Sequence, residues 1–554
     1  MKSLKTIKIG LTILFTIYFS GCQYSSKQEI SGNDYTLGEA HISVTGKDGA
    51  IPYFEKGLLL LHSFEYQDAA QAFIEAQKED PSFVMAYWGE AMTYNHPLWR
   101  SRSVDKGIKA LKKLKETREE RLSMAATELE RDLLESVEIL YTEGDKFERD
   151  QAYADFLGKL YKKYPGNHEV AAFHALSLLG SVKEGRDDKI YGKGAIIAQS
   201  ILDENPNHPG ALHYLIHSYD DPDHAFRALE AANSYAKVAK DASHALHMPS
   251  HIYVALGMWN EVVSSNEDSW QASVNRMKRK QLSNDAQSYH ALHWLMYGYL
   301  QQNRFNKATQ IMKDMVRYTE ELPSRSARDY LVSMIGTYQV ETDNWNSLFH
   351  NVPVDMDQLN ITVRATRSFI NGMKDLSDHD LHSLDETIQL MEEDRKIAIG
   401  KMESRGLALC GRAGRYRFPN QLDIDQAHVM EMELRALLAS AKNDFEMADN
   451  WFKKAVELEQ RVSYSYGPPV IVKPSSELYG EWLLEQARFQ EAQKQFDKAL
   501  HRGPKRILSL KGKMLACRSN DDPQAETIKE ELKDLLKKAD PERQKVVIPV
   551  ETSG

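Results

Sequence analysis

The chain has 554 residues, 27% of them charged, and a formal charge of −10 at pH 7. That length is far beyond one compact core, so several domains or a stacked array are expected, and an acidic chain without a basic stripe and interleaved aromatics argues against nucleic acid as a partner. Cysteine occurs only as Cys22, Cys410 and Cys517, with no CxxC or CxxCH, which argues against a disulfide framework and a c-type haem. Abundant Leu, Ala, Glu, Lys and Gln, with modest Gly and Pro, favour helix.

The N-terminus reads as a targeting segment. Lys2, Lys5 and Lys8 precede an apolar run, Ile9 to Phe19, that is too short to span a bilayer as a mature helix. It ends Phe19-Ser-Gly-Cys22, which resembles a bacterial lipobox. The resemblance implies a signal peptide over 1–21, lipidation at Cys22, and a lipid-anchored protein of the bacterial envelope, on the periplasmic face of the outer membrane. The polar, Ser-rich residues that follow, within 22–50, read as a tether.

Residues 51–100 begin the repeats. Gly57, Ala69, Phe73, Ala76 and Pro81 stand where two antiparallel helices need small residues at their contact, an aromatic in the gap and a proline after the second helix. Gly480, Ala492, Phe496, Ala499 and Pro504 repeat the spacing, and Ala436, Ala448, Phe452 and Ala455 carry part of it. This spacing resembles the tetratricopeptide repeat, a helix–turn–helix unit with a period of about 34 residues. The expected fold is all-α, a tetratricopeptide-like solenoid of helical hairpins wound as a right-handed superhelix. A helical insertion is expected over 101–163, central repeats over 164–340, an irregular or helical linker over 341–425, C-terminal repeats over 426–540 and a tail over 541–554. Ser404 to Asp425 is the best loop candidate, and Tyr466-Gly-Pro-Pro469 to Pro474 should be extended.

The central repeats carry a histidine pattern. His213 and His247 are 34 residues apart, as are His217 and His251. His-Ala-Leu-His recurs at His244/His247 and His290/His293, 46 residues apart. In repeat numbering, position 5 is His213, His247 and His293; position 9 is His217, His251 and Tyr297; position 2 is Gly210, His244 and His290. At about 100° per residue these positions share roughly 60° of the helix surface, about 140° from the positions that pack the hairpin. The tetratricopeptide resemblance places that face on the concave groove. Helices pack about 8–10 Å apart, so imidazoles on neighbouring helices can converge. Pro249, inside the second of these helices, should bend it.

Seven histidines at equivalent positions, His213, His217, His244, His247, His251, His290 and His293, fit a transition-metal site, zinc or iron first, since imidazole suits Zn, Fe, Cu and Ni. They also fit a polar groove of hydrogen-bonded neutral rings. Possible carboxylate partners are Glu90, Glu477 and Glu481, the last two reaching the histidines only if the superhelix closes on itself. His96 is a further candidate; His168 and His208 read as helix-start residues, His174 as packed and His224 as a turn residue. No phosphate loop, nucleophile elbow or HExxH is present, and no catalytic residue is assigned.

Strings around Tyr87-Trp-Gly-Glu90, His208 to Asp223, His244 to Trp259 and Gly467 to Glu481 resemble a bacterial family of large tetratricopeptide proteins with no activity to carry over. Three functions follow as expectations. The first is an anchored protein whose groove binds a metal or small polar ligand. The second is a scaffold that holds a peptide or protein segment without metal. The third is a metal-dependent hydrolase or oxidase. A lysine at position 5 and an asparagine at 9, as in scaffolds that clamp acidic C-termini, are absent; histidine stands there instead.

Overall fold

The computed structural model describes residues 35–183, 185–403, 419–464 and 466–544. The expected signal peptide, Cys22, most of the candidate loop after Ser404 and the end of the tail lie outside them. No helix of the described residues is long and apolar enough to cross a membrane.

The molecule is all-α, a tetratricopeptide-like solenoid of helical hairpins. Helices α1 (Ile51–His62), α2 (Tyr66–Glu79) and α3 (Val84–Met92) open it. A two-residue ribbon, β1 (Asn95–His96) with β2 (Ser101–Arg102), follows. The insertion holds α4 (Val104–Lys112), α5 (Arg118–Ser123), α6 (Glu128–Leu140) and α7 (Lys146–Lys163). The central helices are α8 (His168–Gly180), α9 (Asp188–Glu204), α10 (Pro209–Ser218), α11 (Leu229–Val238), α12 (Ser243–His247), α13 (Pro249–Ala255), α14 (Trp259–Arg279), α15 (Tyr289–Gln301), α16 (Phe305–Glu321) and α17 (Arg325–Thr342). Then come α18 (Ile361–Ser377), α19 (Leu381–Glu403), α20 (Gln421–Ala441), α21 (Phe445–Arg461), α22 (Ser475–Glu485), α23 (Phe489–Arg502), α24 (Ile507–Ser519) and α25 (Gln524–Leu535).

The repeat spacing has a direct physical cause. Phe73, on the second helix of the first hairpin, lies between two glycines of successive first helices. A Cβ on Gly57 would sit 2.8 Å from its ring, and one on Gly89 would also fall under 3.0 Å. Phe496 stands in the same way between Gly480 and Gly512. An aromatic wedged where neither neighbour has a side chain sets how closely one hairpin stacks on the next.

The insertion is tied to the repeats rather than hanging from them. Tyr141 donates to the carbonyl of Ala91 on α3 at 2.6 Å, and within the insertion Arg121 makes a buried, bidentate pair with Glu138 at 2.6 and 2.8 Å. The 341–425 stretch, expected as a linker, carries α18 and α19. Their Phe369, Ile370 and Leu384 join one hydrophobic core with Met296 of α15, Ile335 of α17 and Met430 of α20.

The superhelix turns back on itself. The indole of Trp259 donates to the carbonyl of Lys505 at 3.0 Å, and Ile507 N–H donates to Gln301 at 2.9 Å. Asp540 accepts from the backbone of Asn306 at 2.8 Å. At the other end, Arg276 of α14 pairs with Asp68 of α2, and His244 N–H donates to Glu65 at 3.0 Å. The central helices α10, α12, α13 and α15 are thereby enclosed by both ends of the stack.

Candidate metal centre

Two of the histidine helices, α10 and α15, start at a side-chain cap. His208 accepts from Ala211 N–H at the start of α10, and Ser288 accepts from Ala291 N–H at the start of α15. The middle run divides at Met248, so α12 ends and α13 begins at Pro249, the expected break. In the first unit, position 2 is Gly210 because His62 leaves no room: a Cβ there would fall under 3.0 Å from its ring.

The faces converge. Ring centroids of His213 and His217 are 5.0 Å apart, as are those of His213 and His244. His217 lies 5.2 Å from His251, His251 lies 5.1 Å from His247, and His247 lies 4.5 Å from His290. His213, His217, His247 and His251 are buried, with 0 to 6% of their surface exposed. Burial, reinforced by neighbouring imidazoles, holds His213, His244, His247 and His251 well below the ordinary histidine pKa, and His290 at about 4. These rings are neutral at pH 7.

Hydrogen bonds fix their tautomers. His213 Nδ1 faces the carbonyl of His62 at 2.7 Å. His217 and His251 present Nδ1 to the same oxygen of Asp220, at 2.9 and 3.2 Å. His247 Nδ1 faces Asn266 Oδ1 at 2.7 Å, while the Asn266 amide nitrogen donates to the carbonyl of Val262. The partners are three acceptors, Asp220 serving two rings, so each Nδ1 carries the hydrogen, and the neutral rings of His213, His247 and His251 keep a lone pair on Nε2. His213 Nε2 and His244 Nε2 are buried without a protein partner. His247 Nε2 and His251 Nε2 stand 3.2 Å apart, lone pair toward lone pair.

Asp220 was not legible as a site residue. It lies just past the end of α10, three residues after His217, and its other oxygen accepts from Arg186 at 3.2 Å. Aromatic rings wall the cluster. Phe64 lies 4.2 Å from His213, Trp294 4.7 Å from His251, and Tyr466 4.6 Å from His251. Tyr466 comes from the non-helical, bent segment before α22, whose Gly467 rests on Trp294 so closely that a Cβ would fall under 3.0 Å from the indole. Trp99, 5.7 Å from His244, and Tyr466 are 53% and 39% exposed and flank the cluster on its open side.

Other expected site residues go elsewhere. His293 turns away, with Nε2 at 2.9 Å from Thr337 on α17. Glu90 is held by Gln77 and Lys113 at 2.7 and 2.5 Å. Closure of the superhelix does bring Glu477 and Glu481 back toward the central repeats, but into an ion-pair network. Arg506 binds Glu477 at 2.8 and 3.0 Å, pairs with Glu341 and reaches Tyr297 at 3.1 Å, while Lys473 lies 2.6 Å from Glu481. Burial opposes ionisation of Glu477, but Arg506 and Lys473 outweigh it and hold the carboxyl below the usual range. His96 stacks on Tyr66 at 4.1 Å, His168 pairs with Glu204, and His224 pairs with Asp221. His174 packs against Tyr161 at 5.6 Å.

One further cluster was missed. His62, Glu169 and His208 form a fully buried triad, His62 Nε2 at 2.6 Å and His208 Nε2 at 3.2 Å from the carboxylate. His208 Nδ1 accepts the cap bond, so its Nε2 donates to Glu169, and His62 Nδ1 meets the Tyr214 hydroxyl at 2.8 Å. Every ring nitrogen here has a protein partner. That is a satisfied structural network, unlike the converging lone pairs across Phe64.

No protein-family model and no curated protein matches the chain. Among solved structures, yeast Tom70 is 10% identical over 87% of this chain and 89% of its own, with a TM-score of 0.31. The human IFIT1 dimer with m7Gppp-AAAA is 13% identical over 89% of this chain and 96% of its own, with a TM-score of 0.35.

Proposed function

We propose that this chain is a helical-repeat protein that binds a transition metal in a histidine chamber enclosed by its own superhelix. The opposed Nε2 atoms of His247 and His251, both left as acceptors by their Nδ1 partners, carry the reading. Two lone pairs at 3.2 Å repel unless a cation lies between them. A proton could serve only by charging a buried ring, which burial and the adjacent imidazoles oppose. Two nitrogens bound at about 2.0–2.1 Å with a tetrahedral angle lie about 3.3 Å apart, a spacing that supports the reading of two ligands of one ion. Acceptors on each Nδ1 are the outer partners that orient metal-bound histidines. Neutral imidazoles suit zinc, copper, iron and nickel over magnesium or calcium.

Burial of the cluster supports a small ligand over a peptide segment threaded through the groove. The test is elemental analysis of protein purified without chelator or affinity tag, expected to show near-stoichiometric metal. His247→Ala with His251→Ala should lose the ion held between these two rings, while His174→Ala, outside the chamber, should keep it. A metal-free protein that takes up no zinc, copper, iron, nickel or manganese would overturn the reading.

Anchoring by lipid at Cys22 is the second part of the proposal, and rests on the lipobox-like Phe19-Ser-Gly-Cys22. Fatty-acid labelling of the wild type and its loss in Cys22→Ser are expected. A wild type that takes no label would refute it.

A further inference from the structure

The geometry points to two metal ions in this chamber, held by two separate histidine triads that share Asp220 as a positioning residue. This inference rests on the metal reading above and goes beyond it.

Two donor groups have no member in common, and a third, His217 with Asp220 and His251, bridges them. One nitrogen from each of His213, His217 and His244 lies within 4.8 Å of the other two, and the same holds for His247, His251 and His290. Six imidazoles exceed the three or four protein ligands that a four-coordinate ion takes, and three is the number that leaves an open position on each ion. The division also follows the fold. The first triad joins α10 to the start of α12; the second joins the end of α12, the first turn of α13 and the first turn of α15.

The outer contacts divide in parallel. In the first triad His213 is pinned by the carbonyl of His62, and in the second His247 is pinned by Asn266. His290 Nδ1 lies 3.3 Å from the Tyr330 hydroxyl. The ring that faces across from each triad, His217 from one and His251 from the other, is pinned by one and the same oxygen of Asp220. Asp220 therefore orients one ligand of each ion. Arg186 and the two Nδ1–H groups occupy its oxygens, which makes it an outer partner and not a ligand. The rings of His217 and His251 stand edge to face with centroids 5.2 Å apart, so the two ions are near neighbours.

The test is a competition titration of the metal-depleted full chain with Zn(II) against a chromophoric chelator. The wild type is expected to take two equivalents. His213→Ala with His244→Ala, and separately His247→Ala with His290→Ala, should each keep one. Asp220→Asn should weaken both ions by about 10–100-fold. One equivalent in the wild type, or loss of all binding in either double variant that retains its far-ultraviolet circular dichroism, would overturn the pair and leave a single-ion chamber. No uptake by the wild type would overturn the metal reading itself. Weakening of only one ion by Asp220→Asn would overturn the shared role of Asp220. The wild-type count needs no variant to fold.

Discussion

Arg506 offers a sharp test of how the superhelix is closed. Arg506 is 1% exposed and pairs with Glu341 and Glu477, which are themselves buried, while Lys473 gives Glu477 a second cation at 3.1 Å. Arg506→Met fills similar space but leaves Glu341 with the Gln301 amide at 2.8 Å as its hydrogen bond and Lys511 as a more distant cation. Removing one partner of a buried ion pair costs about 3–5 kcal/mol, because the remaining charge is uncompensated. Burial already holds the Glu341 carboxyl above the usual range with Arg506 in place, and without Arg506 it rises further, so Glu341 escapes by binding a proton. The native variant holds a proton that its unfolded state releases. Stability therefore falls as pH rises through that window, by up to about 1.4 kcal/mol per unit, and returns on acidification. Urea unfolding followed by circular dichroism at pH 8 and pH 5.5 should show the variant several kcal/mol below the wild type at pH 8 and a smaller gap at pH 5.5. A gap under about 1 kcal/mol at pH 8, or one that does not shrink, would refute this account of the closure.

Gly512→Ala places a Cβ against the Phe496 ring at under 3.0 Å and should cost about 1–3 kcal/mol, read as a lower melting temperature. His293 is buried, and burial with His290 nearby holds its pKa at about 3, so its unfolded state takes up a proton below about 6.5 that its native state refuses. Stability is lost as pH falls, and between pH 7 and 5 the wild type should lose about 2 kcal/mol more than His293→Gln in urea titrations. Chelation should lower the melting temperature, and restored Zn(II) should raise it in proportion to the logarithm of free metal, as mass action requires. Acid should release the metal as the ligating imidazoles protonate, detectable by a colorimetric indicator.

The architecture was legible because a tetratricopeptide unit uses side-chain size at fixed spacing. Gly57 and Phe73 can be read one at a time, and their contact follows from the repeat. The convergence of the histidine face was equally readable, since helical periodicity places positions 2, 5 and 9 together. What periodicity cannot give is rotamer and long-range return. His293 occupies the same repeat position as His213 and His247, yet turns to Thr337 because α17 packs beside it. Asp220 sits past a helix end, where no periodic rule points it inward. Glu477 and Glu481 stand on a groove-facing register, but only the closed stack shows that Arg506 and Lys473 meet them first. His62 lies some 150 residues from the helix it buttresses, and no local pattern marks it.

Closure also fixes how many units this chain can have. An open solenoid gains or loses a hairpin at the cost of one unit and one interface. Here Arg506 must meet Glu341 and Tyr297 after the chain has travelled round from α17 to α24. Deleting one hairpin between them would move Arg506 by about two helix widths, roughly 16–20 Å, far beyond the reach of an ion pair. The stack is constrained like a ring of set circumference, which tolerates substitution within units and resists change in their number.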